Sequence, residues 1–183
     1  MRQGARRNSF RARRREDRAA TMRPAVMSPY FLCYRIDMAK KLIIVIGLPA
    51  SGKSTYLKEL KASSEIACFF DDFQSNSIDN DPDPRKSRHF EKLTAALNNN
   101  QTIAIADIRY CAWEDMATLV KVMITAVPGV YIEAHCFEND TEACMQNVVN
   151  RGRESVDKEI QLINEYTDKY TPVSTKIIPV HQP

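Results

Sequence analysis

Gly47-Leu48-Pro49-Ala50-Ser51-Gly52-Lys53-Ser54-Thr55 decides how the rest of this chain is read. The string has the spacing G-x-x-x-x-G-K-[ST], and its flanks matter as much as its letters. Before it runs K-L-I-I-V-I at 41–46, a β-branched apolar run of the kind that forms a strand buried on both faces. After it, Leu57 and Leu60 mark the apolar side of a helix. Strand, glycine-bearing turn and helix in that order bring curled backbone N–H groups and a positive helix end to one point. Anionic oxygens are favoured there.

The expected ligand is ATP with Mg²⁺. Gly47, Pro49, Ala50, Ser51, Gly52, Lys53, Ser54 and Thr55 would hold the phosphates. Lys53 would place its ammonium between the β- and γ-phosphates, the Ser54 hydroxyl would ligate the metal, and Thr55 would reach the α-phosphate. The bland alternative is a glycine-rich strand–helix turn. The bare string arises by chance in about one chain in a hundred or two, and the correct flanks make it rarer.

Apolar runs recur at 66–70, 102–106, 130–137 and 176–180, and helical patterns alternate with them. Phe90, Leu93 and Leu97 mark a second helix, for which Asp83 is the expected N-cap and Pro84 the first residue. Trp113, Met116, Val120, Met123 and Val127 mark a third; Trp113 is expected in the core. Cys144, Val148 and Val149 mark a fourth, and Val156, Ile160, Ile163 and Tyr170 a fifth. Such alternation predicts βαβ crossovers and an α/β fold with a five-stranded, mostly parallel sheet covered on both faces. Strand order does not follow from the pattern.

Ligands of open α/β sheets sit beyond the carboxyl ends of the strands. Strand two ends in Asp71-Asp72-Phe73 and strand three in Asp107-Ile108-Arg109. Phosphoryl transfer needs a metal-ordering carboxylate and a base for the acceptor hydroxyl. Asp107 is the candidate for a Mg²⁺-bound water and Asp71 for the base, with Asp72 able to share or orient. The competing reading is that these carboxylates only cap loops. Farther on, Asn150-Arg151-Gly152-Arg153 joins two helical patterns. Arg151 and Arg153 are expected to close over the phosphates and offset transition-state charge. The dipole of a solvated helix C-terminus favours arginine too.

G-L-P-A-S-G-K-S-T at 47–55, F-F-D-D-F at 69–73, A-D-I-R at 106–109 and N-R-G-R at 150–153 together resemble the polynucleotide 5′-hydroxyl kinase-like group of P-loop kinases. The resemblance spans nearly all of 38–183. It implies a three-layer α/β/α P-loop NTPase fold of nucleoside-kinase type, with Asp71 as base, Arg151 as lid arginine and Asp107 as the acid after strand three. The phage polynucleotide kinases carry Arg three residues after the base, where this chain has Gln74, and often D-T-N where it has Asp107-Ile108-Arg109. Both departures fall on the acceptor side.

The 183 residues fit one domain, 38–183, preceded by an arm. Residues 1–37 hold ten Arg, no Lys and three acids, net +7; the remaining 16 bases and 20 acids give −4. Repulsion and low apolar content predict disorder in the arm. It reads as translated upstream sequence before Met38, as a nucleic-acid-binding arm, or as a transit peptide weakened by Glu16 and Asp17. Five cysteines without a CxxC pair point to free thiols in a reducing cytosol, and no apolar run approaches membrane-span length. The segment 79–83 fails as a calcium loop because Pro84 and Phe90 stand where Gly and Glu are needed. His89, His135 and His181 show no ligand spacing.

Three functions remain: a kinase of nucleic-acid 5′-hydroxyl ends, with Arg85, Lys86, Arg88, Lys92 and Arg109 facing the acceptor; a kinase of a small hydroxyl metabolite such as a nucleoside, sugar or nucleotide sugar; and an ATPase switch without transferase activity. The acidic body sits better with the second. Oligomeric state is not legible.

Overall fold

The computed structural model describes residues 40–77, 79, 81–152, 154–172, 174 and 176–181. The basic arm 1–37, the Met38 start and Arg153 lie outside the described residues.

Strand β1 (Lys41–Ile46) runs into the glycine-bearing turn, and helix α1 (Lys53–Ala62) leaves it. Then follow β2 (Cys68–Phe70), a 3₁₀ turn at Pro84–Lys86, α2 (Phe90–Asn98), β3 (Thr102–Ala106), and a second 3₁₀ turn at Ile108–Cys111. Helix α3 (Trp113–Ala126), β4 (Tyr131–Phe137), α4 (Thr141–Arg151), α5 (Val156–Thr167) and β5 (Lys176–Ile178) complete the order.

The strands form one sheet in the order β2-β3-β1-β4-β5, and every pairing is parallel. β1 lies at the centre, which is why it reads as an unbroken apolar run: both faces of it are covered. Leu42, Ile44 and Ile46 pack with Leu93, Leu97, Leu119, Met123 and Ile163 from α2, α3 and α5. Ile43 and Val45 point the other way, onto Leu57 and Leu60 of α1. The three layers are therefore unequal, with α1 as the helix on the second face.

Two expectations need correcting. Asp83 does cap, accepting from the Arg85 amide, but it caps the 3₁₀ turn; the helix starts later, at Phe90. Trp113 is 68% exposed. The core side of α3 is Leu119, Met123 and Val127, and at 3.6 residues per turn Trp113 lies about 120° from Leu119. Of the expected stripe, Met123 and Val127 are buried and Met116 and Val120 pack against the core; only Trp113 faces out, and Leu119 joins the core side.

Candidate functional site

Two residues of the glycine-bearing turn sit in the left-handed region: Gly52 at φ 109° and Ala50 at φ 60°. Gly52 has this freedom by nature; Ala50 has a Cβ, and single residues of this kind cost about 1–3 kcal/mol each. A Cβ at Gly47 would stand 2.8 Å from both Phe137 Cβ and Ser51 Oγ, so the turn can pass there only as glycine. The Ser51 hydroxyl is buried without a protein partner.

Lys53 Nζ donates to the carbonyls of Gly47 and Leu48, each at 2.8 Å. Burial pulls its pKa below the ordinary lysine value, opposed by nearby Cys111 and Asp71. Burial also pushes the Cys111 thiol up to about 12, so at neutral pH it is uncharged and Asp71 is the effective anion. Cys111 instead accepts the Gly47 N–H. An ammonium turned onto two neutral carbonyls, with a carboxylate near, is a cation with capacity for further anionic oxygens.

The Ser54 hydroxyl donates to Asp71 Oδ2 at 2.5 Å. A carboxylate from the end of β2 and a hydroxyl from the first turn of α1 thus meet above the sheet. Both are hard oxygen donors, the type that Mg²⁺ takes, and Mg²⁺ takes few protein ligands when phosphates and waters supply the rest. Asp72 follows at φ 51°, and burial, then the Asp71 and Asp107 carboxylates, raise its pKa.

Asp107 is fully buried. Its Oδ2 accepts from the Gln74 and Ser75 amides, each at 2.7 Å; its Oδ1 accepts from Ser75 Oγ at 3.1 Å and the Arg109 amide at 3.0 Å. The structure therefore joins Ser54 to Asp71 and ties Asp107 to the loop that carries Asp71. Gln74, also buried, donates its side-chain amide to Asp81 O at 3.1 Å.

Arg151 is the exposed last residue of α4, and Gly152 stops that helix in the left-handed region at φ 59°. With Asn147, Asn150 and His181 it lines a cavity of about 170 Å³. A second cavity, about 270 Å³, lies between α1 and β5 and includes Gly52, Thr55, Tyr56 and His181. His181 stands between them, its amide donating to Ser51 O at 3.1 Å. Asn147 Nδ2 donates to Ala50 O at 3.1 Å and to His181 O at 2.7 Å, binding the turn to the C-terminal segment.

Asn147, His181 and Cys111 were not foreseen. Asn147 had a signal: a polar residue between Cys144 and Val148 on a buried helical side needs a partner. His181 and Cys111 had none beyond proximity that only folding creates.

No family model matches the chain. It is 26% identical over 135 residues to the uncharacterized protein R277 of Acanthamoeba polyphaga mimivirus, covering 73% of this chain and 88% of that one. Among solved structures it is similar to a fungal RNA kinase, with TM-score 0.52, 10% identity and coverage of 78% of this chain and 75% of that one. It is also similar to a gluconokinase from Sinorhizobium meliloti 1021, with TM-score 0.50, 15% identity and coverage of 79% and 85%. At these identities the likeness is one of fold. The chain shares with the RNA kinase and the gluconokinase an α/β fold, here built on a five-stranded parallel sheet. Among the described residues, no helix is long and apolar enough to cross a membrane.

Proposed function

We propose that this chain is an ATP-dependent phosphotransferase whose acceptor is the 5′-hydroxyl end of a nucleic acid. The observation that carries the reading is the 2.5 Å contact between Ser54 Oγ and Asp71 Oδ2. It sets the carboxylate after β2 beside the point where the turn would present a γ-phosphate. An acceptor hydroxyl attacking in line must enter there.

Asp71 accepts the acceptor's proton as the new O–P bond forms and the bond to ADP breaks. Lys53 and the backbone amides of 47–55 hold the phosphate oxygens. The Ser54 hydroxyl would hold Mg²⁺, which would supply charge neutralisation on the phosphates when bound. Asp107 holds the loop under Asp71, and Arg151, the last residue of α4, would close over the phosphates. The fungal RNA kinase among the similar folds agrees with such an acceptor.

A second reading, a small hydroxyl metabolite as acceptor, draws on Gln74. Buried and turned to Asp81 O, it offers no cation to a polynucleotide. Incubating the full chain with γ-labelled ATP and a panel of 5′-hydroxyl RNA, 5′-hydroxyl DNA, nucleosides and gluconate separates the cases. Label on oligonucleotide ends supports the proposal. Label on metabolites alone transfers it to the second reading, and free phosphate alone leaves an ATPase.

A further inference from the structure

Trp113, the sole tryptophan of the chain, stands 68% exposed at the start of α3, just past the carboxyl end of β3. It borders a cavity of about 150 Å³ also lined by Ile46, Tyr110, Cys111, Met116 and Tyr170. We propose that this cavity seats the terminal base of the acceptor nucleic acid, with Trp113 stacked on the base and the Tyr110 hydroxyl bonded to its edge. The inference rests on the nucleic-acid reading of the proposed function and names the subsite that reading lacks.

Three observations converge. The cavity adjoins the phosphate turn, because Cys111 lines it and accepts the Gly47 N–H. Tyr110 is 2% exposed, yet its hydroxyl has no hydrogen-bond partner. A buried, unpartnered hydroxyl costs stability, and a ligand edge would satisfy it. Finally, Lys169 lines the cavity, held by Glu165 at 3.0 Å, and Arg109, next in sequence to Tyr110, is paired with Asp115 at 3.6 Å. Such half-exposed pairs are weak and exchange readily for phosphate.

The lining also selects the class of acceptor. A sugar or sugar acid brings several hydroxyls, each needing a partner when buried. Apart from the Tyr110 hydroxyl and the rim cation, the walls are mostly apolar. A base has a flat apolar face and a short polar edge, and stacking on an aromatic side chain is a principal source of single-strand affinity.

Because there is one tryptophan, its emission reports on binding beside Trp113, which also borders an apolar groove with Val120 and Ile124; the abasic control separates the two. The full chain with Mg²⁺ and ADP is titrated with a 5′-hydroxyl oligoribonucleotide, with the same oligomer abasic at its first position, and with gluconate. The intact oligomer should quench emission, and the other two should not. Trp113→Ala and Tyr110→Phe should each raise the oligonucleotide KM about 10-fold, the loss expected of one stacking or edge contact. The KM for ATP should not move, and Trp113→Phe should restore most of the loss. Tyr110→Phe should melt no lower than the parent, since its hydroxyl has no partner to lose. Quenching by the abasic oligomer to the same extent, or an unchanged KM in Trp113→Ala, overturns the inference while the kinase reading stands. An oligonucleotide that neither quenches nor accepts phosphate overturns both.

Discussion

Asp71 Oδ2 takes its hydrogen bond from the hydroxyl of Ser54, a residue 17 positions earlier and across the carboxyl edge of the sheet. The proposed base and the hydroxyl proposed to face the metal are therefore neighbours before any substrate arrives. Asp71→Asn should lower turnover at least about 100-fold while ATP affinity changes little, as loss of a general base requires. Single-turnover kinetics beside nucleotide titration read the two separately. Near-parental turnover in the variant would remove Asp71 from the role.

Lys53→Met should weaken nucleotide binding about 10- to 100-fold, because charge-assisted bonds to phosphate are lost. The fold should persist, since among the described residues the ammonium bonds carbonyls of its own turn. Calorimetric titration with MgATP, paired with a melting curve, checks this. Unaltered affinity would mean the triphosphate lies elsewhere.

Asp107→Ala leaves two amides at 74 and 75 and the Ser75 hydroxyl without their buried acceptor. A loss of about 2–3 kcal/mol is expected, or a melting point lower by about 5–10 °C for a domain of this size. Turnover should fall with it, because the displaced loop carries Asp71. A variant that melts normally but has lost Mg²⁺ dependence would show that Asp107 serves the metal instead.

His135 supplies a pH signature. It is buried, with Tyr56 Oη 2.9 Å from Nδ1 and Glu133 Oε1 2.9 Å from Nε2. Burial lowers its pKa below the usual histidine value, with the Glu133 hydrogen bond opposing. The unfolded chain therefore binds a proton that the folded one refuses. This contribution is whole above about pH 6.5 and is lost as pH falls below it. Glu133, held down by Lys41 and His135, adds its loss only at lower pH. Urea melts of parent and His135→Gln between pH 7.5 and 5.5 should diverge, the variant showing the flatter dependence. Equal slopes would place the acid sensitivity in other groups.

How far the sequence led can be traced residue by residue. The phosphate turn, its buried strand and its helix follow from local chemistry: glycine spacing, a β-branched run and an apolar i, i+3 pair. The β2–β3 flank was legible as carboxylates at strand ends, but their division of labour was not. Asp107 reaches 33 residues back to the Gln74 amide, and no spacing rule encodes that. Trp113 was misplaced because several apolar stripes overlap on α3, and only packing against the sheet selects one of them. Asn147 and His181 meet the turn through contacts 97 and 130 residues apart in sequence. They become neighbours only once the β2-β3-β1-β4-β5 order exists.

The hold of Asn147 on the His181 carbonyl has a practical side. Position 181 lies two residues from the end of this chain and presses on Gly52, whose added Cβ would meet His181 Cβ at 2.8 Å. A change that displaces His181 would thus be felt directly at Gly52 in the phosphate turn. Lys40, whose carbonyl accepts from the Tyr131 amide, leads in at the opposite, amino edge of the sheet. Labels meant to stay clear of the phosphate turn belong at that edge.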